Sequence, residues 1–92
     1  MPGAKKTPTQ IQSCVIGVAK KRAKTAGRRK VRAKDVESAF AVCIAGAQRS
    51  GRMRKGKKEL TQKGKEKEKS YSKTEKKQTL EEFDQMLKAA EY

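Results

Sequence analysis

The chain has 92 residues, a formal net charge of +15 and 34% hydrophobic residues, with no tryptophan and no histidine. A chain of this length forms at most one small domain with a modest hydrophobic core. Because so much positive charge repels itself in a compact fold, the composition favours a partner with negative charge, nucleic acid before an anionic membrane surface.

Several classes of protein are disfavoured by what the sequence lacks. It has no run of 18 apolar residues and no signal peptide, so no membrane association is expected. Cys14 and Cys43 occur without histidine and without a Cys-x-x-Cys spacing, which predicts no metal site and two reduced, buried cysteines. With no nucleophile and base pair and no glycine-rich phosphate loop, we expect neither an enzyme nor a cofactor.

The first predicted element is a helix over about residues 8–26. Thr7 is the candidate N-cap, Pro8 suits the first helical position, and Gln10 stands where a capping-box partner belongs. Gly27 is predicted to end the helix. Apolar residues recur at spacings of three and four, which predicts one buried stripe: Ile11, Val15, Val18, Ala19, Ala23 and Ala26.

A dense run of cations covers the end of this helix and the junction after it. It consists of Lys20, Lys21, Lys24, Arg28, Arg29, Lys30, Arg32 and Lys34. Cations near a helix C-terminus stabilise the negative end of its dipole, which is the structural explanation for the first of them. Since the run continues well beyond Gly27, helix stabilisation does not account for all of it, and we predict contacts to phosphates.

The second predicted helix covers about residues 34–50, with Asp35 as its capping residue. One face carries Val36, Ala39, Phe40, Cys43, Ile44 and Ala47. The run AFAVCIAGA over 39–47 has no polar residue, so the opposite face is apolar as well. We therefore predict that a second copy or a larger assembly covers this helix, while the alternative is that small residues face water. The predicted interface residues here are Val36, Phe40, Val42 and Ile44.

The stretch from Val18 to Ala39, VAKKRAKTAGRRKVRAKDVESA, resembles the second half of a histone fold. The similar positions are Arg28, Arg29, Val31, Ala33, Asp35, Val36 and Ala39, with Thr25 and Ala26 in the closing turn. The resemblance implies a short pairing of the loop with a partner subunit, and Arg and Lys side chains against DNA phosphates. The family's first helix has no counterpart here, and helix–strand–helix units of ATPase lid domains share the pattern.

A second stretch, RMRKGKKELTQKGKE, resembles the wing of winged-helix DNA-binding domains. Lys55 and Gly56 stand as a turn between two short basic strands. The resemblance implies that the preceding helix enters the major groove, although residues 36–48 offer few base-reading side chains. Five cations of this stretch are further candidates for phosphate contacts: Arg52, Arg54, Lys55, Lys57 and Lys58.

The C-terminal third combines a low-complexity segment with a helix of opposite charge. Residues 62–78 lack apolar periodicity, which predicts a flexible basic linker or a solvated helix. Thr79 and Glu82 fit a capping box for a last helix over about 80–91. Residues 80–92 carry one cation and four anions, so this helix is not expected to bind phosphate. It packs on the first two helices or docks on another protein through an apolar stripe of Leu80, Phe83 and Leu87.

These observations predict an all-α or mainly α protein, with a short strand at 28–32 as an option. The predicted order is a basic tail (1–6), a helix–loop–helix nucleic-acid-binding core (7–61), a low-complexity basic linker (62–78) and an amphipathic acidic helix (79–92).

The expected function is sequence-nonspecific nucleic-acid binding that coats or compacts DNA, with DNA favoured over RNA. The alternatives are a structural protein of a ribosome or other RNP particle, and a capsid or scaffold protein facing a packaged genome. The expected location is an intracellular reducing compartment, with the nucleus or nucleoid first and a ribosome or virion as other options.

Overall fold

The chain folds into four helices in the computed structural model, which describes residues 7–56 and 59–90. The helices are α1 (Thr9–Thr25), α2 (Ala33–Arg49), α3 (Gln62–Ser70) and α4 (Lys73–Ala89). No strand is present in this described part, including residues 28–32, where a short strand was an option. The mainly α class is confirmed, and the molecule measures 38 × 28 × 22 Å.

The two ends of α1 are formed differently from one another. At its start, the Pro8 carbonyl accepts hydrogen bonds from the amides of Ile11 and Gln12, and no side chain caps the helix. The predicted cap is therefore wrong, and the Thr7 carbonyl instead accepts a hydrogen bond from the Gln12 side chain at 3.0 Å. At its end, Gly27 takes a φ of 73°, which a side chain would disfavour, so the predicted stop is confirmed.

The core lies between α1, α2 and α4. Its buried apolar residues are Ile11, Val15, Ile16, Ala19, Ala23, Val36, Ala39, Cys43, Ala47, Met53, Phe83, Met86, Leu87 and Ala90. The Phe83 ring is fully buried and meets Phe40 of α2 edge to face, with 5.7 Å between ring centroids. Of the two arrangements expected for the C-terminal helix, the structure therefore has the one packed on the first two helices.

Cys14 and Cys43 form a disulfide that joins α1 to α2, with 5.9 Å between their Cα atoms. The expectation of two reduced cysteines is wrong. Because disulfides persist in oxidising environments, the expected reducing compartment is wrong as well. The two residues are 29 positions apart in sequence, and only the antiparallel pairing of α1 with α2 brings them together.

The segment 62–78, expected as a linker or a solvated helix, is helical. It contains α3 and the first part of α4, which begins at Lys73 and not near 80. Ser72 and Glu75 form the capping box, with the Glu75 amide 3.1 Å from Ser72 Oγ and the Ser72 amide 3.4 Å from Glu75 Oε1. The predicted box at Thr79 and Glu82 is wrong because the earlier pair provides the same spacing and lets the helix begin with two exposed polar turns.

α3 is attached to the start of α1 by polar contacts. Glu68 Oε1 accepts the Gln10 amide at 2.8 Å, and the Gln10 side chain donates to the Gly64 carbonyl at 2.9 Å. The negative Glu68 carboxylate also lies at the positive end of the α1 dipole, which is a favourable interaction. Gly64 has no room for a side chain, since a Cβ there would collide with the Arg52 carbonyl oxygen. Gln10 is therefore a tertiary anchor of α3 and not the predicted capping-box partner.

A minimal hairpin connects α2 to α3. It consists of one isolated antiparallel bridge between Met53 and Leu60, with the Arg54 amide 2.9 Å from the Glu59 carbonyl. The bridge stands where the wing resemblance implied two short strands. Met53 is buried and closes the end of the core, so the hairpin is fixed to the helical body.

Candidate nucleic-acid interface

Most cations of the described chain form two clusters at opposite ends of the α1–α2 pair, and the others lie on α3 and α4. The junction pole is the cluster at the end of α1, the connection 26–32 and the start of α2: Lys20, Lys21, Arg22, Lys24, Arg28, Arg29, Lys30, Arg32 and Lys34. The hairpin pole is the described cluster around the other end: Arg49, Arg52, Arg54, Lys55 and Lys63. Helices of this length rise about 25 Å, so the poles are well separated. The candidates Lys57 and Lys58 lie outside the described residues.

Most of the junction pole faces solvent without a compensating carboxylate. Six of the predicted phosphate-binding residues are exposed and form no ion pair within residues 7–56 and 59–90: Lys21, Lys24, Arg29, Lys30, Arg32 and Lys34. Their backbones belong to two helix ends and the short connection between them. The structure therefore holds six exposed charges without an ion-pair partner close together on a fixed framework, and Glu82 lines the same groove as Arg29 and Lys30.

The two other predicted cations of this pole have acidic partners. Lys20 Nζ is 2.8 Å from Glu82 Oε1, and both side chains are more than half exposed, so this pair is weak and easily exchanged. Arg28 Nη2 is 2.6 Å from Asp35 Oδ1, with the Asp35 side chain only 7% exposed. Arg28, expected to bind phosphate, is thus already bound to Asp35 and closes the turn between α1 and α2.

Asp35 is the electrostatic anchor of the junction. Its Oδ2 accepts the Arg32 amide at 3.0 Å, which is one half of a capping box; the Arg32 side chain has no acceptor to supply the other half. This backbone hydrogen bond lowers the pKa of Asp35 from its ordinary value of 3.8, aided by the charges of Arg28 and Arg22 and opposed by partial burial. The carboxylate therefore remains ionised at neutral pH and holds Arg28 in place.

The hairpin pole is smaller, and part of it is structural. Arg52 donates from Nε to Ser50 Oγ at 2.8 Å and lies 3.4 Å from Gln10 Oε1 through Nη1, so it fixes the chain next to α3. Arg54 pairs with Glu59 at 3.6 Å, but both side chains are more than 60% exposed. Lys55 is exposed, and so is Arg49, which the sequence analysis missed. Nearby α3 adds further exposed cations that it also passed over: Lys65, Lys67 and Lys69.

The part of α1 and α2 between the poles, which we term the waist, contains no cation. It comprises residues 9–19 of α1 and 36–48 of α2, whose single charge is Glu37. α4 runs parallel to α1, since Leu80 lines a groove with Gln12, and Glu82 pairs with Lys20 farther along. This direction places Lys76 and Leu80 of α4 beside the start of the waist, and Glu82 beside Lys20 at the edge of the junction pole.

A shallow groove of about 610 Å³ lies next to the junction pole. Three cations, one carboxylate and one hydroxyl contribute to its lining, together with apolar side chains: Val18, Lys21, Arg22, Thr25, Ala26, Arg28, Asp35 and Val42. Val42 is 49% exposed and is the one large apolar side chain that stands out in the described part of the chain. The groove therefore extends the cationic surface onto an uncharged patch of α2.

The predicted interface residues divide between core and surface. Val36, Phe83 and Leu87 are buried in the chain's own core. Phe40 and Ile44 are partly buried against it, while Leu80 is half-buried. Val42 alone among them is exposed. A second copy covering α2 stays a prediction, and in this fold it has only Val42 and small neighbouring residues to contact.

Comparisons with protein-family models, curated proteins and solved structures find no match to this chain. In the residues that the structure describes, no helix is long and apolar enough to cross a membrane. The same residues contain no cluster of three or more potential metal-binding side chains. The function is therefore argued from the two poles themselves.

Proposed function

We propose that the protein binds nucleic acid through phosphate contacts and does not read base sequence. The observation that carries this proposal is the junction pole, where six exposed cations lie together without a carboxylate partner in the described chain. Such a cluster raises the energy of the isolated protein by self-repulsion. A phosphate backbone relieves this repulsion and releases its own counterions on binding.

The side chains at this pole favour the backbone of the nucleic acid over its bases. Residues 20–34 contain no asparagine, glutamine or aromatic side chain. This stretch therefore has no amide side chain to read adenine and no aromatic ring on which a base could stack. Arg28, the arginine held most firmly, is bound to Asp35. The remaining lysines and arginines extend into solvent, as expected for contacts that position a protein without specifying sequence. Duplex DNA is the first ligand in this proposal, because the junction resembles the DNA-facing loop of a histone fold.

The disulfide favours one particular setting for this activity. A protein that lines or scaffolds a packaged genome in a particle encounters both nucleic acid and an oxidising exterior, because disulfides are found in virions and at cell surfaces. Cytosolic and nuclear proteins rarely keep disulfides. The Cys14–Cys43 bond therefore supports a capsid or scaffold role as the second candidate, ahead of a ribosomal or chromatin role.

The test measures binding of the oxidised protein to duplexes of unrelated sequence, with polyglutamate at equal charge concentration as the control polyanion. Engagement of six phosphates predicts that log K falls with log salt at a slope of about −5 for a DNA duplex. We expect similar affinities for all duplexes and weaker binding to polyglutamate. A flat salt response, a strong preference for one duplex, or equal binding to polyglutamate contradicts the proposal.

A further inference from the structure

We infer that a single molecule bridges two separate nucleic-acid segments, one at each pole. The inference rests on the proposed function and adds to it a second binding surface and a second ligand. It follows from three features of the fold: the direction of α2 relative to α1, the cation-free waist between the poles, and the exposed cations that each pole carries.

The first feature is the antiparallel pairing of α1 and α2. The disulfide between Cys14 and Cys43 and the contact of Arg52 with Gln10 fix this direction. The connection 26–32 and the hairpin therefore lie at opposite ends of the pair, in a molecule 38 Å long. The cations of the two poles therefore lie at opposite ends of α1 and α2, with no cation on these helices between them.

The second feature is the waist. A segment lying lengthwise along the molecule would cover residues 9–19 and 36–48, which carry no cation. On the α4 side, Glu81 repels phosphate, while Glu82 and Asp84 are paired with Lys20 and Lys88. Phosphate contacts supply the affinity. Two segments, one at each pole, therefore make more of these contacts than a single segment lying along the length of the molecule.

The third feature is that each pole has exposed cations without an ion-pair partner in the described chain. The junction pole has seven, the six named above and Arg22, and the hairpin pole has Arg49, Lys55 and Lys63, with Lys65 of α3 nearby. Each pole can therefore bind its own segment. Excess protein should occupy every segment with a separate molecule and so prevent bridging. Capture is thus expected to rise and then fall as protein is added.

The experiment uses one DNA duplex fixed to beads and a second, fluorescent duplex in solution, mixed with the oxidised full-length protein at low salt. Retention of the fluorescent duplex on the beads measures bridging, and fluorescence anisotropy of a single duplex measures binding. Two variants remove the same charge from opposite ends, so each is the control for the other. The junction variant is Arg29→Gln, Lys30→Gln, Arg32→Gln and Lys34→Gln; the hairpin variant is Arg49→Gln, Arg54→Gln, Lys55→Gln and Lys63→Gln.

We expect the native protein to retain the second duplex at low protein-to-duplex ratio and to release it in excess protein. Each variant should still bind one duplex yet lose retention, even when its concentration is raised to equal occupancy. The bridging inference is overturned if the native protein binds without retaining the second duplex. It is also overturned if either variant retains the duplex like the native protein at equal occupancy, since bridging would then come from self-association. Absence of all duplex binding overturns the proposed function itself.

Discussion

Arg28 and Asp35 form an ion pair of 2.6 Å across the connection between α1 and α2. The pair joins the residue after the Gly27 turn to the first turn of α2, and its carboxylate also accepts the Arg32 amide at 3.0 Å. One side chain therefore sets the geometry of the turn between the two helices. The turn and the candidate phosphate site consequently depend on different residues of the same short stretch.

This arrangement predicts that Asp35→Asn lowers the melting temperature at neutral pH while leaving duplex binding intact. The folded pKa of Asp35 lies below the ordinary value of 3.8, so its ionised form contributes stability that is fully present above that value. The contribution is lost as pH falls through the lowered folded pKa. The melting temperatures of the two proteins should therefore differ most above about pH 4. They should converge at lower pH, where the carboxyl protonates. A gap that widens on acidification contradicts the assignment.

The disulfide is expected to stabilise the fold by restricting the unfolded chain. A cross-link between residues 29 positions apart in sequence corresponds to about 3 to 4 kcal/mol of loop-closure free energy. The double variant Cys14→Ala and Cys43→Ala should lose about that amount in urea unfolding of the oxidised proteins.

Reduction provides the internal control for this prediction. A reducing agent should destabilise the native protein and leave the double alanine variant unchanged. If the native protein is equally stable with and without reductant, the bond does not support the fold.

Replacement by alanine is expected to have opposite effects on stability at two helical glycines. Gly64→Ala would drive a methyl group into the Arg52 carbonyl, with an expected loss of about 1 to 3 kcal/mol in the free energy of unfolding. Gly17→Ala in α1 meets nothing within 4 Å and should gain about 1 kcal/mol by helix propensity. Chemical denaturation of both variants checks the pair. Equal effects at the two positions would mean that α3 is not packed against residue 52.

The sequence predicted the features that depend on neighbouring residues and missed those that depend on contacts between distant residues. The stripe of Ile11, Val15 and Ala19 predicted α1, because helical periodicity is a local property. The roles of Gln10 and Arg28 could not be predicted in the same way. Gln10 matched a capping position but bonds to α3, which is distant in sequence. Arg28 matched a phosphate ligand but faces Asp35 once the turn has formed.

The charge pattern was only partly interpretable for the same reason. The cation-free stretches of α1 and α2 were visible in the sequence, yet their alignment into one waist requires the antiparallel pairing. The Cys14–Cys43 bond depends on the same pairing of the two helices. The spacing of the cysteines in the sequence does not show this pairing, so it indicated two reduced cysteines. Ser72 and Glu75 were visible as a capping pair, but no apolar stripe starts directly after them to mark a helix.

The measurement that tests phosphate binding by the junction pole most directly is the salt dependence of duplex affinity for the native protein and the junction variant. Arg29, Lys30, Arg32 and Lys34 are exposed and form no ion pair in the described chain, so their replacement by glutamine should leave the melting temperature unchanged or slightly higher. Affinity should fall alike for all duplex sequences, and the slope of log K against log salt should flatten by up to about 3.6. An unchanged affinity and slope in a folded variant would show that the junction pole is only a helix connection and does not bind phosphate.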